Sequence, residues 1–141
     1  MSLPTVLLPL FVQVLLTFGL ILWMAYHRTS LLSKGEVHPR DIALRERNWP
    51  PRVLKVDNAA HNQLETPVLF YVLTILAIIT RHADLLFVVL AWVFVLIRIA
   101  HAYVHVTSNR VALRGPLFGL ALMVLIVMWL IFIVRILLGL P

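Results

Sequence analysis

Four long apolar runs alternate with polar segments along this chain, and polar residues also intrude into the second and third runs. The first run extends from about Pro4 to Tyr26 and carries Gln13 and Thr17 inside it. At about 1.5 Å per residue it crosses a hydrocarbon core of about 30 Å. No Lys or Arg precedes it, it exceeds the apolar core of a signal peptide, and no small-x-small cleavage site follows, so it reads as a retained span. A polar connection runs from His27 to Asp57, punctuated by Pro39, Pro50 and Pro51, with room for a short amphipathic helix around Asp41 to Arg47. The second span is predicted at about Ala59 to Thr80, kinked at Pro67. Arg81 to Asp84 reads as a tight turn, Leu85 to Val106 as the third span, Thr107 to Arg114 as a short loop, and Pro116 to Leu138 as the fourth span. The pattern predicts an all-α membrane protein: one four-helix transmembrane domain over residues 1–141, without a soluble domain or an internal repeat.

Composition strengthens this reading. The chain is 62% hydrophobic with a mean hydropathy of +0.98, against about 45–50% apolar residues in soluble domains. Lipid is the natural solvent for the excess. The absence of cysteine excludes disulfides, thiolate metal sites and a cysteine nucleophile. The formal charge of +6 would raise nucleic acid as a partner for a soluble protein. Here the basic residues flank apolar spans, which points instead to membrane lipids or an anionic ligand. The first and third connections carry nine Lys and Arg residues and the opposite side carries two, Arg81 and Arg135. The positive-inside rule then predicts that loops 1 and 3, including residues 27–57, are cytoplasmic and that both termini lie on the other side.

Ionisable residues within a span cost about 2.5–3.5 kcal/mol each on insertion scales, so they mark function or tight pairing. Asn58, Asn62 and Glu65 share a helix face at i, i+4 and i+7, with His61 on its edge. Arg98, His101 and His105 share a face of the third span at i, i+3 and i+7, while Tyr103 points away. Glu65 lies roughly 12 Å from one end of its span and Arg98 roughly 20 Å from the opposite end of its own, so the two come to similar depth. That predicts a Glu65–Arg98 ion pair. Three readings of the constellation stay open: a structural polar core, a ligand site at the cytoplasmic mouth, and a metal site. His101 and His105 have chelating spacing, and Glu65 or His61 could complete a set. Arg98 on the same face repels a cation, and no metal is expected.

The run Asn58-Ala59-Ala60-His61-Asn62-Gln63-Leu64-Glu65-Thr66-Pro67 resembles the helix-two signature of the MAPEG family, the membrane-associated proteins in eicosanoid and glutathione metabolism. In that signature an Asn precedes a Glu by three residues. Arg98 to Arg114 is also similar, with Arg-x-x-His near the end of helix three and an Arg opening helix four. The resemblance implies a homotrimer binding glutathione as co-substrate between subunits, with a lipophilic small molecule as the second partner. It implies that Asn62 and Glu65 grip the peptide's polar ends and that Arg28 meets a carboxylate at the adjoining subunit. His61, Arg98, His101, His105 and Arg110 complete the implied binding set, and Arg114 stands by the sulfur as the catalytic residue. A cation beside a thiol favours the reactive thiolate. Departures stand at His61, where an Arg is usual, at His105 and Phe118, where Tyr is usual, and at Gly115; these remove ligand contacts. The implied function is glutathione-dependent transferase or peroxidase chemistry on lipophilic electrophiles. The alternative is a non-catalytic lipid-binding or scaffold member of the same fold.

Overall fold

The computed structural model describes residues 1–44 and 48–141. Its helices are α1 (Leu3–Ser33), α2 (Pro51–Asn62), α3 (Thr66–Ile79), α4 (Leu85–Val106) and α5 (Val111–Leu137), with a 3-10 turn at Pro39–Asp41. They make four units long and apolar enough to cross a membrane: α1, α2 with α3 as Pro51–Ile79, α4, and α5. The chain is a multi-pass integral membrane protein, and no strand occurs among the described residues. Of the stretch Asp41 to Arg47, where the sequence leaves room for a short amphipathic helix, Asp41 closes that 3-10 turn, 42–44 are turn residues, and 45–47 lie outside the described residues.

Three boundaries differ from the hydropathy pattern, each for a local reason. The first helix continues past Tyr26 to Ser33 because nothing in His27 to Ser33 breaks it. It stops at Gly35, whose φ of 74° lets the Glu36 N–H reach the Leu31 carbonyl at 3.1 Å and close the helix end. The second unit begins at Pro51, eight residues before the apolar run, since proline suits the first helical position. The last helix begins at Val111, so Arg114 lies in its first turn rather than in the loop before it. The expected turn at Arg81 to Asp84 forms with Arg81 at a φ of 61°. Asp84 then caps α4, accepting the Phe87 N–H at 3.0 Å.

The main core joins Phe70, Leu73 and Ala77 of α3 to Ala91, Phe94 and Val95 of α4 and Ala121 and Leu125 of α5. Alanine at the crossing points permits the close backbone approach by which helices pack in lipid. Phe70 and Phe94 stack with centroids 4.9 Å apart. Large apolar side chains such as Leu15, Leu22, Ile75, Leu96 and Leu130 point outward, while Gln13, Gln63, Thr74 and Arg98 are buried. This distribution suits a bundle whose solvent is hydrocarbon. At the end opposite the long connection, Arg135 of α5 pairs with Asp84 at 2.8 Å, and the His82 ring meets the Leu140 carbonyl at 2.9 Å.

Candidate functional site

The site forms where the second span breaks. Pro67 has no N–H to offer the Gln63 carbonyl and its ring obstructs a continuous helix, so α2 ends at Asn62 and α3 restarts at Thr66. The break lies just before Pro67, where a simple kink had been expected. Gln63 within it is fully buried. Its side-chain amide donates to the Ala59 carbonyl at 3.0 Å, and its oxygen accepts the Gln13 amide of α1 at 2.8 Å. Two glutamines thus secure the break against α1.

The broken end of α2 receives Arg98 from α4. The Arg98 guanidinium, wholly buried, donates to the side-chain oxygen of Asn62 and to its backbone carbonyl at 3.4 Å. A cation at a helix C-terminus satisfies carbonyls that the break leaves free and meets the negative end of the helix dipole. The expected Glu65–Arg98 ion pair is therefore not formed. Among the described residues the ion pairs are Arg28–Asp57, Arg52–Glu36 and Arg135–Asp84. Glu65 falls in the break itself, exposed, with φ −98° and ψ −104°. Nε and Nη1 of Arg98 remain buried without partners.

In front of Arg98 opens a cavity of about 430 Å³ between α2, α4 and α5. The helix-two segment contributes Asn58, His61, Asn62 and Glu65; α4 contributes His101 and His105; α5 contributes Arg114, Gly115 and Phe118. His101 and His105 are buried, with rings 5.5 Å apart, and Nδ1 of each has no partner. The Phe118 ring lies 6.0 Å from that of His101. Arg114 donates from Nη1 to the Asn109 side-chain oxygen at 2.5 Å. Among the described residues no group of three His, Cys, Asp or Glu side chains is arranged to hold a metal ion.

Six residues expected at a site, His61, Asn62, Glu65, His101, His105 and Arg114, are thus brought together, with Arg98 behind them as a support rather than in the lining. Two are not. Arg28 donates from Nε and Nη2 to Asp57 at 3.2 and 2.7 Å and lies over the Trp49 ring at 5.3 Å, pinning the connection onto α1. Arg110 occupies the position before α5 without a side-chain cap and is exposed outside the cavity. Asn109 is the residue that sequence reasoning passed over. Its φ of 53° is one that Asn tolerates, and an Asn just beyond a helix end is the signal that could have marked it.

A sequence model of the MAPEG family matches residues 6–134. The chain belongs to the MAPEG family. No curated protein and no solved structure matches it significantly. The match begins within the first span and ends within the fourth, so the broken helix and its cavity fall wholly inside it.

Proposed function

We propose that this MAPEG protein binds glutathione in the cavity between α2, α4 and α5 and uses its thiolate against lipophilic electrophiles, as a transferase or peroxidase. The observation that carries the reading is the mixed chemistry of one cavity. Glu65 offers a carboxylate for an ammonium group, Asn58 and Asn62 offer amides for peptide groups, and Arg114 and the histidines offer donors for carboxylate or sulfur. A tripeptide with one ammonium, two carboxylates and a thiol matches that set. Arg114, held by Asn109, is the group for the sulfur. The thiol proton passes to water at the open mouth, and the sulfur electron pair forms a bond to the electrophilic carbon as the leaving group departs with its bonding pair or the adjacent double bond shifts. With a peroxide, the sulfur attacks the outer oxygen, the O–O bond breaks to release the alcohol, and a second glutathione reduces the sulfenic acid to the disulfide and water.

The second substrate has a route from the bilayer. One turn beyond Glu65 and Phe118 lies a wholly apolar groove of about 370 Å³ lined by Leu69, Leu122, Leu125, Ile126, Trp129 and Leu130. The same groove is what a lipid-binding scaffold would use, and His61, His105 and Phe118 in the polar cavity favour that second reading. Exposed His61 and Glu65 on the flank of an apolar unit support assembly with further copies, in a homotrimer that covers them. The excess of Lys and Arg beside the long connection supports a cytoplasmic position for this end.

Calorimetric titration with glutathione tests binding, and ultraviolet difference absorption tests the thiolate. A favourable interaction of about 1.4 kcal/mol lowers a thiol pKa by about one unit from its free value of about 8.5. Wild type is expected to show bound thiolate at neutral pH and Arg114→Ala to lose most of it. Binding without a thiolate signal in wild type would remove the transferase, and no binding would leave the lipid-binding scaffold.

A further inference from the structure

A second cavity, of about 190 Å³, lies where α1 leaves its apolar run. It is lined by Tyr26, His27, Ser30, Leu31, Lys34 and Arg52. Every side chain in this lining except Leu31 can donate a hydrogen bond, and none is a carboxylate. The Arg52 contact with Glu36 is 3.6 Å long with both side chains largely exposed, a weak surface pair that leaves guanidinium donors free. Arg52 is the second residue of α2, so the positive end of that helix dipole lies at the cavity rim.

The cavity exists because α1 outlasts its apolar run. His27, Leu31 and Lys34 stand at i, i+4 and i+7 on one face of the added turns, beside Ser30. Its level in the membrane is marked by Trp23 and Tyr26, both exposed and with rings 5.8 and 5.7 Å from that of His27. Indole and phenol groups facing outward at the end of a span lie at the headgroup layer.

We propose that this cavity binds the phosphate of an anionic membrane phospholipid. A phosphodiester offers only acceptor oxygens, which suits a lining of donors. A zwitterionic headgroup would also bring a cation, for which the lining provides no carboxylate. The aromatic pair at headgroup height favours a phosphate carried by a lipid over one free in solution. The site is separate from the α2, α4 and α5 cavity and does not depend on what that cavity binds.

Native mass spectrometry of the full chain, from micelles doped with phosphatidylglycerol or phosphatidylcholine, tests this directly. Phosphatidylglycerol is expected to be retained preferentially and to resist millimolar inorganic phosphate. Lys34→Gln should weaken retention about fivefold and Lys34→Gln with Arg52→Gln about 25-fold, since each basic residue at an anionic surface contributes about 1 kcal/mol. Arg40→Gln removes the same charge from an exposed position outside the cavity and should leave retention unchanged. Equal weakening by Arg40→Gln would reduce the effect to diffuse charge attraction and overturn the site. So would equal retention of the two lipids, while full displacement by inorganic phosphate would overturn the lipid as its source.

Discussion

Asn62 and Glu65 stand three residues apart in one motif and do different work. Asn62 ends α2 and receives the buried Arg98 guanidinium on both its oxygens. Glu65, past the helix end, faces the open cavity. Helical spacing put both on one face and made Glu65 the natural partner for Arg98, but that geometry holds only while the helix is continuous. The structure therefore predicts that Asn62→Ala is the costlier change for stability. Hydrogen bonds to charged groups contribute about 1.5–3 kcal/mol, and loss of that order is expected in reversible detergent unfolding. Glu65→Ala, which breaks no ion pair with Arg98, should cost about 0.5 kcal/mol or less in the same measurement. A larger loss for Glu65→Ala than for Asn62→Ala would restore the ion pair and remove the capping role.

At the scale of elements, α4 is the organiser. It packs against α1, α2 and α5, carries Arg98, His101 and His105 on one buried face, and is capped by Asp84 at its start. Burial pushes the Asp84 carboxyl upward, but the Phe87 N–H and Arg135 together outweigh it and hold the group below its ordinary value of 3.8. A carboxyl depressed in the folded state contributes stability that is present above its unfolded pKa and is lost as pH falls through the folded one. The α4–α5 end should therefore loosen only in acid, below about pH 4. Hydrogen exchange at the Phe87 amide should accelerate there in wild type, beyond the intrinsic pH dependence of exchange. Asp84→Asn should be loosened already at neutral pH and show little further change. Identical protection profiles for the two proteins would mean that the carboxylate charge and the ion pair with Arg135 contribute nothing.

The whole molecule is an inverted bundle, apolar outside and polar at its broken centre, with one polar flank left open. That flank carries His61 and Glu65, and a bilayer gives neither a hydrogen-bond partner. On the proposed assembly neighbouring copies cover it, and a trimer is the expected outcome of native mass spectrometry from mild detergent. A stable monomer would mean that the cavity opens to lipid or water and that glutathione, if bound, is held by one chain alone.

Much of this was legible in the chain itself. Span number follows from run length, because about 20 apolar residues cross a bilayer whatever surrounds them. The cavity residues Asn62, Glu65 and His101 were also legible, since polar groups inside apolar runs are too costly to be incidental, whereas Arg114, expected in a loop, was marked only by the family resemblance. Helix ends were not, because they depend on local hydrogen bonds rather than hydropathy: Gly35 ends α1 well beyond Tyr26, and Pro67 acts four residues upstream, on the Gln63 carbonyl. Only the tertiary structure decided the partners. Arg28 has no acceptor that its own helix could foretell, and the packed connection brings Asp57 and Trp49 to it. Arg98 could have met any acceptor at its depth, and the broken end of α2 supplied one at Asn62. Depth and face are properties of a single helix and can be read along it, whereas a hydrogen bond between helices depends on where two backbones end and how they cross.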